Sequence, residues 1–225
     1  MARSRKKIVQ PALSAARIER TALDLIEREG LDAFSTRTLA ADLGCEAMSI
    51  YHYFPSKAHL MDALVDRVIA EVVVADAKSP PIERFRSLGH AYRDVAHRHP
   101  QFFRYLALHR LNTRAGLRAL ETFLEVFRQA GFGVEDTARL FRVVGYYLVG
   151  AALDETSGYA KGPSAVNPVA DAIVAREFPE VAAAGRFFKP REHDATFALG
   201  LEILVAEIER RRIVLSKRGG KAARG

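Results

Sequence analysis

Proline is scarce where it would matter most. Two stretches, Ser56 to Ser79 and Gln101 to Gly162, run without it. Apolar residues in and around them recur at spacings of three and four, the period of a helix buried on one face. Leu117, Leu120, Leu124 and Phe127 form one such stripe, and Phe141, Gly145, Leu148 and Ala152 another. Phe85, Leu88, Tyr92, Val95 and Ala96 line a third, and Phe197, Leu201, Leu204 and Ile208 a fourth within a helix expected over about 193–212. The chain is expected to be all-α.

The first sixty residues resolve into short helices with recognisable ends. Ser14 can cap a helix through Glu29, whose inner face is Ile18, Ala22, Leu25 and Ile26, and Gly30 stops it. Ser35 or Thr36 opens a second, which buries Leu39, Ala40 and Leu43 and ends at Gly44. A third is expected from Ala47 to Tyr53, ended by Pro55. Ser56 caps a fourth, expected to continue past Leu60, Leu64 and Val68 toward Lys78. At 1.5 Å per residue its ~23 residues would span roughly 34 Å. Pro80 and Pro81 interrupt the pattern, and Lys161 to Pro168 reads as a loop.

Two short helices joined at Gly44 and crossed by a preceding helix make a helix-turn-helix. With Ala47, Ile50 and Phe54 turned inward, Met48, Ser49, Tyr51 and His52 face wholly or partly outward. Tyr51, His52 and Lys57 can donate to phosphate oxygens, and Arg37 beside Thr36 has the fork suited to guanine O6 and N7. Met48 could lie against a thymine methyl. The same helix pair would also suit an ordinary three-helix cluster with a solvated face. Charge adds weight to the first reading. The net charge is +7, with Arg3, Arg5, Lys6 and Lys7 ahead of the helices and no acid after Glu209. Basic ends of this kind suit a polyanion, though they also serve as plain solubilising segments.

Catalysis and metal binding find little support. The one cysteine, Cys45, falls in the tight turn, where it reads as a small turn residue, and it cannot form an internal disulfide. His52 and His59 lie seven apart without a carboxylate between them on the same face, and His90 with His97 makes only a pair, too few for a metal site. No Gly-rich phosphate loop occurs. No catalytic residue, metal or cofactor is therefore expected. The start of the chain does not read as a secretory signal, no stretch is apolar enough to span a bilayer, and a cytoplasmic location is expected.

From Ala15 to about Asp66 the chain resembles the DNA-binding domain of the TetR family of bacterial transcriptional regulators. The run ARIERTALDLIEREGLDAFSTRTLAADLG, the turn at Gly44 and the run IYHYFPSKAHL, with Lys57 and Leu60 at its end, carry the likeness. It implies a homodimer whose third helices enter successive major grooves of a near-palindromic double-stranded operator, usually as a repressor released by a small-molecule inducer. Carried across by position, Thr36 and Arg37 open the supporting helix. Glu46, Ala47, Met48, Ser49, Tyr51 and His52 fall on the recognition helix, and Lys57 becomes a phosphate contact. Members commonly have serine or threonine where Glu46 stands and many have glycine at Met48. The sequence Met48, Ser49, Ile50 resembles the tetracycline-repressor-like branch. Glu46 is either a specificity residue accepting from cytosine N4 or a cap turned away from DNA.

The organisation expected is a basic arm over 1–12, the helix-turn-helix domain over 13–60, a larger helical ligand-binding and dimerisation domain over 61–213, and a basic disordered tail over 214–225. The resemblance places a dimer interface on two late helices, here Gly145, Leu148 and Ala152 with Phe197, Leu201, Leu204 and Ile208. His109, Asn112, Phe123, Phe127, Tyr147 and Asp154 are the candidates for a pocket holding a mostly apolar ligand. Nothing in these residues favours a magnesium-chelated tetracycline. The alternatives are a constitutive DNA-binding regulator without an inducer and a helical adaptor that binds protein alone.

Overall fold

The computed structural model describes residues 12–157 and 164–222, with side chains to 217. The expected basic arm lies outside the described residues, apart from its last position. Among the described residues the regular structure is all helical, with no strand. It divides into two compact units, Met1–Leu64 and Val65–Gly225.

In the first unit, α1 (Ala15–Glu29) is capped as its sequence requires. The Ser14 side chain accepts from the Arg17 N–H, and Gly30, at φ 86°, donates to Ile26 O. Helix α2 (Thr36–Leu43) starts with a reciprocal capping box between Ser35 and Thr38, which satisfies two otherwise orphaned donors. Gly44 leaves it in the left-handed region at φ 67°, where a Cβ would be strained, so the chain can turn at once into α3 (Ala47–Tyr51). Ile18, Leu25, Ile26, Phe34, Leu39, Leu43, Ile50 and Leu60 are buried almost completely.

Two sequence expectations are corrected here. Helix α3 stops at Tyr51, because the N–H groups of Tyr53 and Phe54 both turn back to Ile50 O ahead of Pro55. Helix α4 is Lys57–Ile69, 13 residues and about 20 Å, in place of the expected run to Lys78. Val72, Val73 and Val74 follow it, and three β-branched residues in succession disfavour helix. Val72 is buried from non-helical backbone, and Asp76 to Ser79 then closes a turn.

The second unit is a bundle. Helices α5 (Pro81–Arg98), α7 (Arg114–Gln129), α8 (Val134–Ser157) and α11 (His193–Ala222) enclose a core of Phe85, Phe127, Phe132, Val144, Leu148, Phe197, Leu201 and Ile208. Helix α6 (Pro100–Leu108) packs on α5 and α8. Two short helices, α9 (Asp171–Glu177) and α10 (Pro179–Ala184), pack on each other and bury no residue. No helix among the described residues is long and apolar enough to cross a membrane.

The core overturns the expected dimer surface. Leu148, Ala152, Phe197, Leu201 and Ile208 are buried within the single chain, and Leu204 packs against the same core. Gly145 is not part of that core and lines a cavity described below. A helical stripe must be buried somewhere, and here the long stripes of α8 and α11 meet inside the bundle. Helix α11 also runs on to Ala222, ten residues beyond the expected Arg212, where the sequence reading placed a disordered tail from 214. Ion pairs of Arg210 and Arg211 with Glu207, and of Arg212 with Glu209, support its exposed side, and the chain meets no proline there.

Candidate nucleic-acid interface and ligand cavity

The helix-turn-helix presents one polar face built from three pieces of chain. Met48 is 65% exposed and Tyr51 38%, and His52, Glu46 and Arg37 are exposed as well. Thr36, Ala47 and Ser49 are half-buried at the edges of that face. The Tyr51 hydroxyl reaches Thr36 Oγ1 at 3.4 Å, which ties α3 to the first turn of α2. Glu46 is the N-cap residue of α3, but its carboxylate makes no capping hydrogen bond. Its backbone carbonyl serves instead, accepting from Ser49 N–H at 3.0 Å.

Lys57 is more tightly held than its sequence position suggests. Its ammonium donates to Phe34 O at 2.7 Å and lies 5.1 Å from the Phe34 ring centroid, pinning the loop that leads into α2. An ammonium has three donors, so a further oxygen can still be met on the solvent side. Tyr53 donates from its hydroxyl to Leu13 O at 2.8 Å and fixes the chain just ahead of α1. Arg17 closes the other end of α2 by donating to Leu43 O at 3.2 Å.

In the second unit a cavity of about 350 Å³ opens among the end of α4, α5, α6, α7 and α8. Ile69, Leu88, Leu106, Leu120, Phe123, Phe141 and Leu148 give it apolar walls, and Tyr92, His109, Arg110 and Arg142 supply its polar groups. Of the six expected ligand residues, His109 and Phe123 line it. The other four do not. Phe127 is fully buried in the core, and Tyr147 donates its hydroxyl to Phe197 O at 2.6 Å. Asn112 and Asp154 are exposed. Beside Asp154, the buried acid is Glu155, which accepts from Arg93 and meets His97, each at 2.7 Å.

Ile69, Tyr92, Arg110 and Arg142 were missed by the sequence reading. Tyr92 falls on the α5 apolar stripe and reads as core, while the two arginines read as surface. No apolar pattern marks a wall shared by five helices. Burial pushes the Tyr92 phenol up to about 12, so it stays neutral at ordinary pH.

The fold and this exposed face define a helix-turn-helix DNA-binding regulator with a separate helical domain. The sequence model described as "Bacterial regulatory proteins, tetR family" matches residues 18–64, and that for "Tetracyclin repressor-like, C-terminal domain" matches residues 79–212. The tetracycline repressor class A of transposon 1721 from Escherichia coli is 30% identical over 214 residues, 87% of this chain and 90% of that one. A crystal structure of a possible TetR family regulator from Streptomyces coelicolor A3(2) superimposes with a TM-score of 0.71 at 29% identity, covering 88% of this chain and 99% of that one. ActR of Streptomyces coelicolor, crystallised in complex with (S)-DNPA, gives a TM-score of 0.66 at 25% identity, over 88% of this chain and 98% of that one. The chain belongs to the TetR family and is a DNA-binding transcriptional regulator, not an enzyme. The all-α expectation and the family resemblance both hold.

Proposed function

We propose that this regulator is a homodimeric repressor that leaves a near-palindromic operator when a small, mostly apolar molecule fills the cavity. The observation that carries the reading is the place of Ile69. It is the last residue of the helix that begins at Lys57, and it forms part of the cavity wall. A ligand pressing on that wall acts on the end of α4, and a shift there changes the spacing of two recognition helices. That spacing must match one turn of DNA, about 34–36 Å. To move the dimer from 99:1 in favour of the binding form to 1:99, a ligand must prefer the other form by about 5.5 kcal/mol. The cavity has the size and apolar character of small-molecule sites. The complex of ActR with (S)-DNPA, at 25% identity, is a precedent for ligand capture in this fold.

The dimer surface lies on the opposite faces of the two late helices. On α8, Val143, Tyr146 and Gly150 form an exposed stripe at spacings of three and four. On α11, Leu199, Ile203 and Ala206 form another and Ile213 extends it. Such surfaces suit a four-helix interface about a two-fold axis. On the DNA side, Thr36, Arg37, Ala47, Met48, Ser49, Tyr51 and His52 form the reading face. Lys57 acts from its Phe34 anchor, and Glu46 is a solvent-facing acid available to a base edge.

The test has two stages. Apolar metabolites and drugs are screened by thermal shift, and the hits are then tried for release of an operator selected from genomic fragments. Stabilisation together with loss of operator affinity is expected. Ligands that stabilise the fold while leaving the operator bound would replace this reading with a constitutive regulator.

A further inference from the structure

The cavity carries a sign as well as a shape. Its lining residues include Tyr92, His109, Arg110 and Arg142, and no aspartate or glutamate. Some guanidiniums of this unit are matched to carboxylates, as Arg86 is to Glu202, Arg93 to Glu155 and Asp194, and Arg98 to Glu71, while others, such as Arg84 and Arg128, meet neutral oxygens. Arg110 and Arg142 form no ion pair among the described residues. Arg142 instead donates to the Tyr146 hydroxyl at 2.9 Å and lies 5.1 Å from the Tyr146 ring centroid, contacts that bring it no carboxylate. The Tyr92 hydroxyl makes no hydrogen bond to a described residue, and its high proton affinity keeps it able to donate. Apolar walls thus meet a rim of unmatched positive charge and one free neutral donor.

We infer that the molecule this cavity takes is an amphipathic anion, an apolar body bearing one acidic group that Arg110 and Arg142 receive at the rim. This rests on the ligand-cavity reading above and names the class of ligand. An acidic group entering an apolar site loses hydration, and a guanidinium fork returns two parallel charge-assisted hydrogen bonds. A neutral ligand of the same shape gains only the apolar walls. A cationic one is repelled by the rim.

Two fluorescent probes of nearly the same skeleton separate these cases. 8-Anilinonaphthalene-1-sulfonate carries an anion, and N-phenyl-1-naphthylamine does not. Titrated into the full-length protein at about 150 mM salt, the sulfonate should bind at least about tenfold more tightly, the scale of one charge-assisted hydrogen bond. Replacing both Arg110→Gln and Arg142→Gln, each at an exposed position, should erase that preference and leave the neutral probe unchanged. Equal affinities in the wild type, or a preference that survives the double replacement, would overturn the proposal. Gly145→Leu supplies the control, because Gly145 lines the cavity and a Cβ there meets nothing within 4 Å. It should expel both probes while circular dichroism stays native. Undiminished binding of both probes to Gly145→Leu would show that they sit elsewhere and would count against the cavity itself, whatever the sign of its ligand.

Discussion

Arg37 and Lys57 both bring positive charge to the start of α2, yet their surroundings give them different work. Arg37 is exposed, with its fork available to a base edge, whereas Lys57 is committed to Phe34 O and the Phe34 ring. Arg37→Ala should flatten discrimination among operators carrying single base changes, each good contact being worth about 1–3 kcal/mol. Lys57→Ala should weaken every operator by a similar factor and also lower stability by about 1 kcal/mol, since the loop carbonyl loses its donor. Competition binding and urea unfolding of the two variants measure these effects, and a change of preference in Lys57→Ala alone would reverse the roles. Gly200 shows a constraint that no pattern announces. A Cβ there would run into the Tyr147 ring, whose hydroxyl is fixed on Phe197 O. Gly200→Ala should therefore cost about 1–3 kcal/mol by overpacking, despite alanine's better helix propensity. Caps and turns were legible at this scale, because Ser14, Gly30, Ser35 and Gly44 act through their immediate neighbours. Tyr147 was not, because its partner lies fifty residues away.

Among the elements, periodicity located the helices well but could not say what each apolar face meets. Helices α8 and α11 carry apolar residues on two sides, and a count along the chain cannot tell the side that closes the core from the side left open. Burial makes the choice, with Leu201 3% exposed and Ile203 61%. The two positions lie two residues apart on α11 and should respond in opposite ways. Leu201→Glu places an unpaired charge in the core, costs several kcal/mol and should unfold the chain or leave it molten. Ile203→Glu should keep the helical spectrum and give a monomer by light scattering. A folded dimer for both variants would put the interface elsewhere. The length of α4 was misread for a related reason. Val72 and Val74 repeat the apolar signal of a helix while packing from non-helical chain.

For the whole molecule, electrostatics should govern how strongly the operator is held. The formal net charge is +7, and the exposed polar face of α2 and α3 offers side-chain donors to phosphate. If a dimer neutralises about 6–10 phosphates, affinity for a selected operator should fall by roughly 10³–10⁵ between 50 and 200 mM salt, because each neutralised phosphate releases condensed counterions. The slope of log affinity against log salt counts those contacts, so it also tests the assembly. A dimer engages two half-sites, and the Ile203→Glu chain, if monomeric, engages one. Its slope should be about half that of the wild type at a matched operator, with a much weaker absolute affinity. Fluorescence anisotropy on one labelled operator across that salt range reads both. A flat response in the wild type would remove the phosphate contacts proposed for Tyr51, His52 and Lys57. An unchanged slope in a variant shown to be monomeric would mean that one recognition helix already makes all the contacts, and the two-half-site reading would fail.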